Sequence, residues 1–596
     1  MTTPIRIANC SGFYGDRISA ASEMVDGGPI DVLTGDWLAE LTMLILARSR
    51  AKRPGSGYAR TFVAQMEQVM GACLDRGIKV VSNAGGLDPA GCADAVAEVA
   101  DRLGLAPSIA FVDGDDLMPR LGALLADGSL APFGDDAGPA GVGALTANAF
   151  LGCWGIVEAL DQGADIVITG RVTDAALVCG PAAWHHGWRR DDWDRLAGAV
   201  VAGHVIECSA QATGGNYSFF TEIPGYDDPD GGASLGYPWA EVAADGSALI
   251  GKHDGTGGLV SIGTVTSQLL YEIGDPAYLG PDVTARFDTI RLEQVERDRV
   301  RISGVRGLPP PGTLKVGINE MGGFRNSFEV ALTGLDIDEK AAFAQAAFWA
   351  RCPTPRADFA SVDSRVIRTD RTDPPTNEQA TAVWRLTVRD PDEDKVGRSF
   401  SNAMVETALA SIPGMYALSG GPSPAEPYGV FRAALIDAAS VPQTVHLPGG
   451  TELVVRAPAA AAAVDVPPIE DAPPPPVPNG ETVEAPLGRV MGARSGDKGG
   501  DANLGVFVRT DVAWAWLDSF LDTPRLKTLL PEASPLHVER HRLPNLRAIN
   551  FVVHGLLGQG VAASTRPDPQ AKSLGEWLRA RVVPIPVAVL DAEDVR

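Results

Sequence analysis

Basic residues are scarce in this 596-residue chain: Lys and Arg number 50 against 75 Asp and Glu, a net charge of −25. That deficit argues against nucleic acid or an anionic membrane surface as the main partner. An anionic ligand would have to be held by local N–H groups and a few Arg or Lys. Cysteine is sparse as well. Cys10, Cys73, Cys92, Cys153, Cys179, Cys208 and Cys352 never fall into C-x-x-C spacing, which suits free thiols in a reducing cytoplasm better than disulfides or a zinc site. Long apolar runs are missing. LTMLILA at 41–47 is far too short to cross a bilayer, and MTTPIRIANC lacks the basic start and apolar stretch of a signal peptide. A cytoplasmic location is expected. Nucleotide signatures are also wanting: SGFYGD is not G-x-G-x-x-G, and no Walker-type G-x-x-x-x-G-K-[ST] occurs.

What is present is ordinary globular composition, 45% hydrophobic and 21% charged, at a length that calls for two to four domains. The chain opens with a short apolar run, Ile5–Ala8, then a small-residue loop containing Ser11, Gly12 and Asp16, then a helical pattern from Ser19. This strand–loop–helix start repeats. Strands are expected at Arg6–Ala8, Asp31–Leu33, Ile78–Ser82, Ser108–Val112 and Asp165–Thr169, with helical spacing between them, as in Tyr58–Arg76 and Cys92–Leu103. Alternation of this kind predicts an α/β region with a Rossmann-like, mostly parallel sheet. The strand ends read CSGFYGD, TGDW, SNAGGLDP, DGDD and TGRVTD. In a parallel sheet such ends share one edge, so these loops would converge on one cleft. Any one of them alone reads as a capped turn.

Residues 181–330 mix Gly-rich turns with β-prone segments. HVIECSAQATGGNYSFF (204–220) starts like a strand, and 281–307 alternates as antiparallel hairpins would. Strands are expected at Gly312–Asn319 and Phe328–Leu335, and an α+β region appended to or inserted in the sheet is predicted. Residues 457–486 are Pro- and Ala-rich and read as an extended linker. The first 456 residues, with a candidate subdivision near 180–200, thus precede a separate module at 487–596, whose pattern suits a small ferredoxin-like α+β domain.

Several constellations could carry chemistry. RSGDKGGDANLG (494–505) sets Arg494, Asp497, Lys498 and Asp501 among glycines ahead of Asn503. It could form a backbone anion nest flanked by Lys498 and Arg494. Its Asp497 and Asp501 could hold a divalent cation, or one could be a general base; a plain hairpin turn is the alternative. Arg171 and Asp174 follow the clearest strand, where Arg171 could meet a carboxylate or phosphate or simply pair with Asp174. Glu207 is a possible acid or base beside His204, and Cys208 a weaker nucleophile candidate. Arg48, Arg50, Lys52, Arg53 and Arg60 form a basic patch, and His253 with Asp254 could transfer protons. His185–His186 lack metal-site spacing.

The stretches RIANCSGFYGDR, TGDWLAELTM, SNAGGLDP, ADIVITGRVTDAALV, ECSAQATGGNY and RSGDKGGDANLGV together resemble the AtuA family, the acyclic terpene utilisation proteins. The likeness covers nearly the whole chain: an AtuA-type region to about 456, then an AtuA-like ferredoxin-fold module. It implies a place in bacterial breakdown of citronellol- and geraniol-type terpenes, beside acyl-CoA carboxylation and β-oxidation-like steps. It brings no assigned catalytic residues.

Together these readings predict an enzyme acting on a branched acyl-CoA or related organic acid by hydration or C–C lyase chemistry. Asp16, Glu207 and Asp497 are the expected proton-transfer groups. Ser11, Gly12, Asn83, Gly85, Gly86, Arg171, Asp174, Gly214, Gly215, Asn216, Arg494, Lys498, Asp501 and Asn503 are the expected substrate contacts. Amides near Gly85–Gly86 and Gly214–Gly215 would steady an enolate oxygen. No redox cofactor is implied; CoA would enter as part of the substrate, and a divalent metal is left open. A non-catalytic partner or scaffold of an acyl-CoA carboxylase and a phosphate- or nucleotide-binding enzyme are the alternatives. Homo-oligomerisation is expected from the resemblance and the apolar fraction.

Overall fold

The computed structural model describes residues 3–133, 143–228, 234–418, 423–457, 476 and 480–594. Among them, no helix is long and apolar enough to cross a membrane. Contacts divide the chain into one compact unit, Met1–Asn319 with Phe431–Val561 and Asp568–Arg596, and a second, Glu320–Val430 with Ala562–Pro567. The Pro-rich linker expected at 457–486 falls mostly outside the described residues.

The first unit is built on an eleven-stranded sheet. Its strands are β1 (Ile5–Asn9), β2 (Val32–Gly35), β3 (Lys79–Ser82), β4 (Ile109–Asp113), β5 (Ile166–Thr169), β6 (Pro238–Val242), β7 (Ala248–Lys252), β8 (Arg291–Glu296), β9 (Arg299–Ser303), β10 (Gln443–His446) and β11 (Glu452–Val455). The order is β8-β9-β7-β6-β1-β2-β3-β5-β4-β10-β11. Only β1, β2, β3, β5 and β4 run parallel to one another. Every other pairing is antiparallel. The Rossmann-like, mostly parallel sheet expected from the sequence is therefore corrected to a mixed sheet with a parallel centre. Hairpins cause the difference, because β6–β7 and β8–β9 extend the β1 edge with two-residue periodicity.

The parallel centre forms for the reasons that its sequence advertises. IVIT of β5 is buried at every position, as a strand covered on both faces must be. The helix Arg60–Arg76 buries Phe62, Met66, Val69, Met70 and Cys73 along one stripe and ends at Gly77 in the left-handed region. Helix Pro89–Leu103 starts where the Asp88 side chain accepts the Gly91 N–H, with Pro89 in the first turn. HVIE is not strand-like as expected. It closes the helix Trp193–Ile206, which is buried from Leu196 to Ile206; an all-round apolar run of that length is a buried helix.

Also in the first unit, β12 (Gly492–Lys498), β13 (Asp501–Phe507), β14 (Val538–Leu543) and β15 (Ala548–Val553) form a four-stranded antiparallel sheet in the order β12-β13-β15-β14. Helices Asp511–Phe520 and Leu574–Arg579 contribute to its core, with Trp514, Leu517, Phe551 and Leu578 buried. This module packs on the N-terminal part of its own chain. Ser218 Oγ donates to Ala493 O at 2.7 Å, and Asn550 Nδ2 donates to Gly274 O at 2.8 Å.

In the second unit, Ser361–Ile367, Thr381–Asp390 and the last part of Thr313–Thr333 pair antiparallel. Helices Ile337–Trp349 and Arg398–Val405 supply Phe348 and Phe400 to a core shared with Phe328 and Trp384. Thr313–Thr333 is one continuous strand, where two separate strands were expected.

Candidate functional site

A set of interacting titratable groups lies in the first unit, at the ends of β2 and β5, after two helices, and on the β12–β13 hairpin. Asp36 follows β2 and is buried, accepting from Asn83 Nδ2 at 2.6 Å and from the Leu38 N–H at 3.1 Å. Arg171 follows β5 and is 3% exposed. Its Nη1 donates to Asp174 at 2.7 Å and to Leu38 O at 2.9 Å, and its guanidinium lies 4.1 Å from the centre of the Phe150 ring. Glu40, in the first turn of Glu40–Lys52, meets Lys315 Nζ at 3.2 Å. Burial opposes the charge on Glu40, but Lys315 and Arg171 outweigh it and bring the carboxyl down to about 2.

Glu207 ends the buried helix and is 7% exposed. The β1 loop sets its place. Asn9 Nδ2 donates to Ile206 O at 2.6 Å and to Glu207 O at 2.8 Å. Gly12 passes so close that a Cβ there would stand 2.6 Å from the Cys208 carbonyl carbon. Burial raises the Glu207 carboxyl well above its usual range, and Asp174 and Asp36 add to this while Arg171 opposes it. Asp36 is likewise raised well above its usual range, by burial and then Asp174.

The hairpin supplies the remaining groups. Arg494–Lys498 is not the anion-nest loop expected but strand β12, paired residue by residue with β13 through a Gly499–Gly500 turn. Its polar face is turned inward. The Arg494 guanidinium lies 3.9 Å from the Tyr271 ring centre and bonds Gln211. Lys498 Nζ donates to Glu272 O at 3.3 Å. Burial, and Lys315 beside it, bring Lys498 down to about 8, although Glu272 and Glu40 oppose this. Burial, then Glu272 and Glu40, push Asp497 up to about 8. Glu272 itself is raised by burial first, and it holds a left-handed backbone with φ 56. Its N–H donates to Asn503 Oδ1 at 2.8 Å, while Asn503 Nδ2 donates to Leu270 O at 2.9 Å. A non-glycine residue held in that region by a neighbouring module stores strain of about 1–3 kcal/mol.

Other expected residues stand elsewhere or do other work. Asp16 accepts from Gly12 N–H at 3.0 Å and Ser209 Oγ at 2.9 Å, and bonds Tyr237 Oη. It braces the β1 loop and is not placed among the proton-transfer groups. Ser11 belongs to the same brace, donating to Phe13 O at 3.1 Å. Gly86 N–H donates to Asn83 O, Gly214 N–H to Gln211 O and Gly215 N–H to Ala210 O. These three amides are engaged inside their own turns. Gly85 fits because a Cβ would stand 2.6 Å from Thr169 O. Both Asp501 oxygens are engaged, one by His554 and one by the Gly555 N–H. Cys208 is a poor nucleophile: burial, Glu207 and Glu272 raise its thiol well above the usual range. His204 is held neutral, lowered by burial to about 4. His253 is largely buried against Met24 O at 3.0 Å.

Glu40, Glu272, Lys315 and Lys572 were missed in the sequence. Nothing local marks them, since each joins the set only through packing between distant segments; Asp36 at least stood in a strand-end loop. Beside the cluster a pocket of about 320 Å³ is lined by Asn216, Tyr217, Phe220, Arg494 and Lys572, among others. With Arg494 and Lys572 on its wall, it can take an anionic group.

The acyclic terpene utilisation family protein AtuA model matches residues 5–447, and the AtuA ferredoxin-like domain model matches 485–584. No curated protein and no solved structure matches the chain. With the family models spanning most of its length and the four-stranded C-terminal module in place, the chain belongs to the acyclic terpene utilisation family AtuA.

Proposed function

We propose that this protein is a proton-transfer enzyme acting on a branched acyl-CoA or related organic acid, by hydration or C–C lyase chemistry. The observation that carries the reading is the pair of half-buried groups whose proton affinities fall near neutrality, Asp497 and Lys498 both at about 8, together with the raised carboxyl of Glu207. Groups of this kind can both take and return a proton at working pH. In the proposed reaction an ionised carboxylate, Asp497 or Glu207, removes a proton alpha to the acyl carbonyl. The Lys498 ammonium stabilises the enolate oxygen that forms; the enolate then expels the beta-hydroxyl, which takes the proton from the carboxyl and leaves as water, and hydration is the reverse. Arg171 keeps Asp36 and Asp174 in place as the fixed counter-charge, and Arg494 and Lys572 anchor the anionic end of the substrate.

A thermal-shift titration of the whole chain against CoA, branched acyl-CoAs and the free acids tests the substrate class, because a ligand that binds the folded state raises its melting temperature. The reading expects stabilisation by an acyl-CoA or an acid that is lost in Lys572→Ala. No stabilisation by any of them would move the protein toward the carboxylase-partner role.

A further inference from the structure

A second cluster lies at the end of the C-terminal sheet, outside the set described above. His537, Glu539 and His554 each offer one ligand atom, and these atoms all lie within 4.8 Å of one another. His554 Nε2 stands 3.0 Å from Glu539 Oε1, and His537 Nε2 stands 3.9 Å from that same oxygen. Ligand atoms in a tetrahedral zinc shell are about 3.3 Å apart, given bonds near 2.0–2.1 Å. The observed separations bracket that distance, so small side-chain rotations would close the set around an ion.

Each inner residue that a metal would need to orient is already held from behind. The other nitrogen of His554 meets Asp501 Oδ2 at 3.0 Å, and Asp501 Oδ1 accepts the Gly555 N–H at 2.8 Å. The second oxygen of Glu539 meets His541 Nε2 at 3.0 Å. A carboxylate behind a ligating imidazole fixes its tautomer and raises its basicity, a recurrent feature of metal sites. The backbone ties the cluster together too, since His554 N–H donates to His537 O at 3.0 Å.

We propose that His537, Glu539 and His554 bind a divalent cation of the zinc class, with Asp501 and His541 as positioning residues. Two imidazoles and one carboxylate suit Zn²⁺ better than Mg²⁺ or Ca²⁺, which favour all-oxygen shells. Three protein ligands leave one position for water or another small donor. Because Asp501 begins β13 on the same hairpin as Asp497 and Lys498, the ion would also hold the end of that hairpin.

The test is isothermal titration of the metal-stripped full chain with Zn²⁺, with Co²⁺ absorption as a second readout of coordination geometry. The expected result is one ion per chain with a tetrahedral Co²⁺ spectrum, both weakened at least tenfold in His554→Gln and in Glu539→Gln. Asp501→Asn should weaken binding roughly 10–100-fold without abolishing it. Unfolding curves of the metal-free variants, expected to match the metal-free parent, separate lost ligation from lost folding. Absence of stoichiometric binding, or binding untouched by both ligand variants, would overturn the site.

Discussion

Replacing Arg171 by Met removes the buried cation that faces Asp36, Asp174 and Glu207. The guanidinium is almost fully enclosed and makes two short bonds, to Asp174 and Leu38 O. Removing one partner of a buried ion pair costs about 3–5 kcal/mol, because the other charge is left without compensation. The cost should depend on pH, and its sign follows from the carboxyls. Asp36 and Glu207 already have folded pKa values above their unfolded ones, and losing Arg171 raises them further. Such groups bind a proton on folding, so their favourable contribution is full below about pH 4 and fades as pH rises through the folded values. The variant should therefore lose the most stability near pH 8 and the least near pH 4. Urea unfolding at the two pH values reads this directly. Adding Asp174→Asn should recover part of the loss, with a coupling of about 0.5–3 kcal/mol. A loss below about 1 kcal/mol, or one of equal size at both pH values, would refute the reasoning.

Three further expectations rest on single contacts. Asp497→Asn should gain stability relative to the parent as pH rises from 4 toward 8, since Asp497 at about 8 favours its protonated form in the fold; parallel denaturant curves check it. Asn503→Ala should cost about 1–3 kcal/mol by leaving buried partners at Leu270 O and the Glu272 N–H unpaired, visible as a lower unfolding midpoint. Gly12→Ala should cost about 1–3 kcal/mol by overpacking against the Cys208 backbone, and it should lower any activity by shifting Glu207.

The parallel strands β1 to β5 were legible because continuous apolar runs and Gly-Asp strand ends are local signals. The β6–β9 extension was half legible: hairpins were read at 281–307, but β9 joins the sheet through β7, and β6 joins β1 by pairing across some 230 residues, as Ile7 does with Ala240. Of the cluster, Arg171, Asp174, Glu207, Arg494, Asp497 and Lys498 were singled out from motifs. Asp16 misled because an Asp in a Gly loop looks the same whether it faces a ligand or braces its own turn. Glu272 was invisible for a different reason. Its left-handed backbone and its place in the set come from Asn503 and Lys498, more than 220 residues further along the chain.

The most direct test of the proton-transfer account is deuterium incorporation at the alpha carbon of a branched acyl-CoA incubated with the protein in D₂O, read by mass spectrometry. Exchange reports enolate formation whatever the net reaction is. The account predicts exchange that falls at least a hundredfold in both Asp497→Asn and Lys498→Met, in line with the loss of a general base or a charge-stabilising group. Exchange that persists in both variants, or its absence with every acyl-CoA that binds, would contradict it.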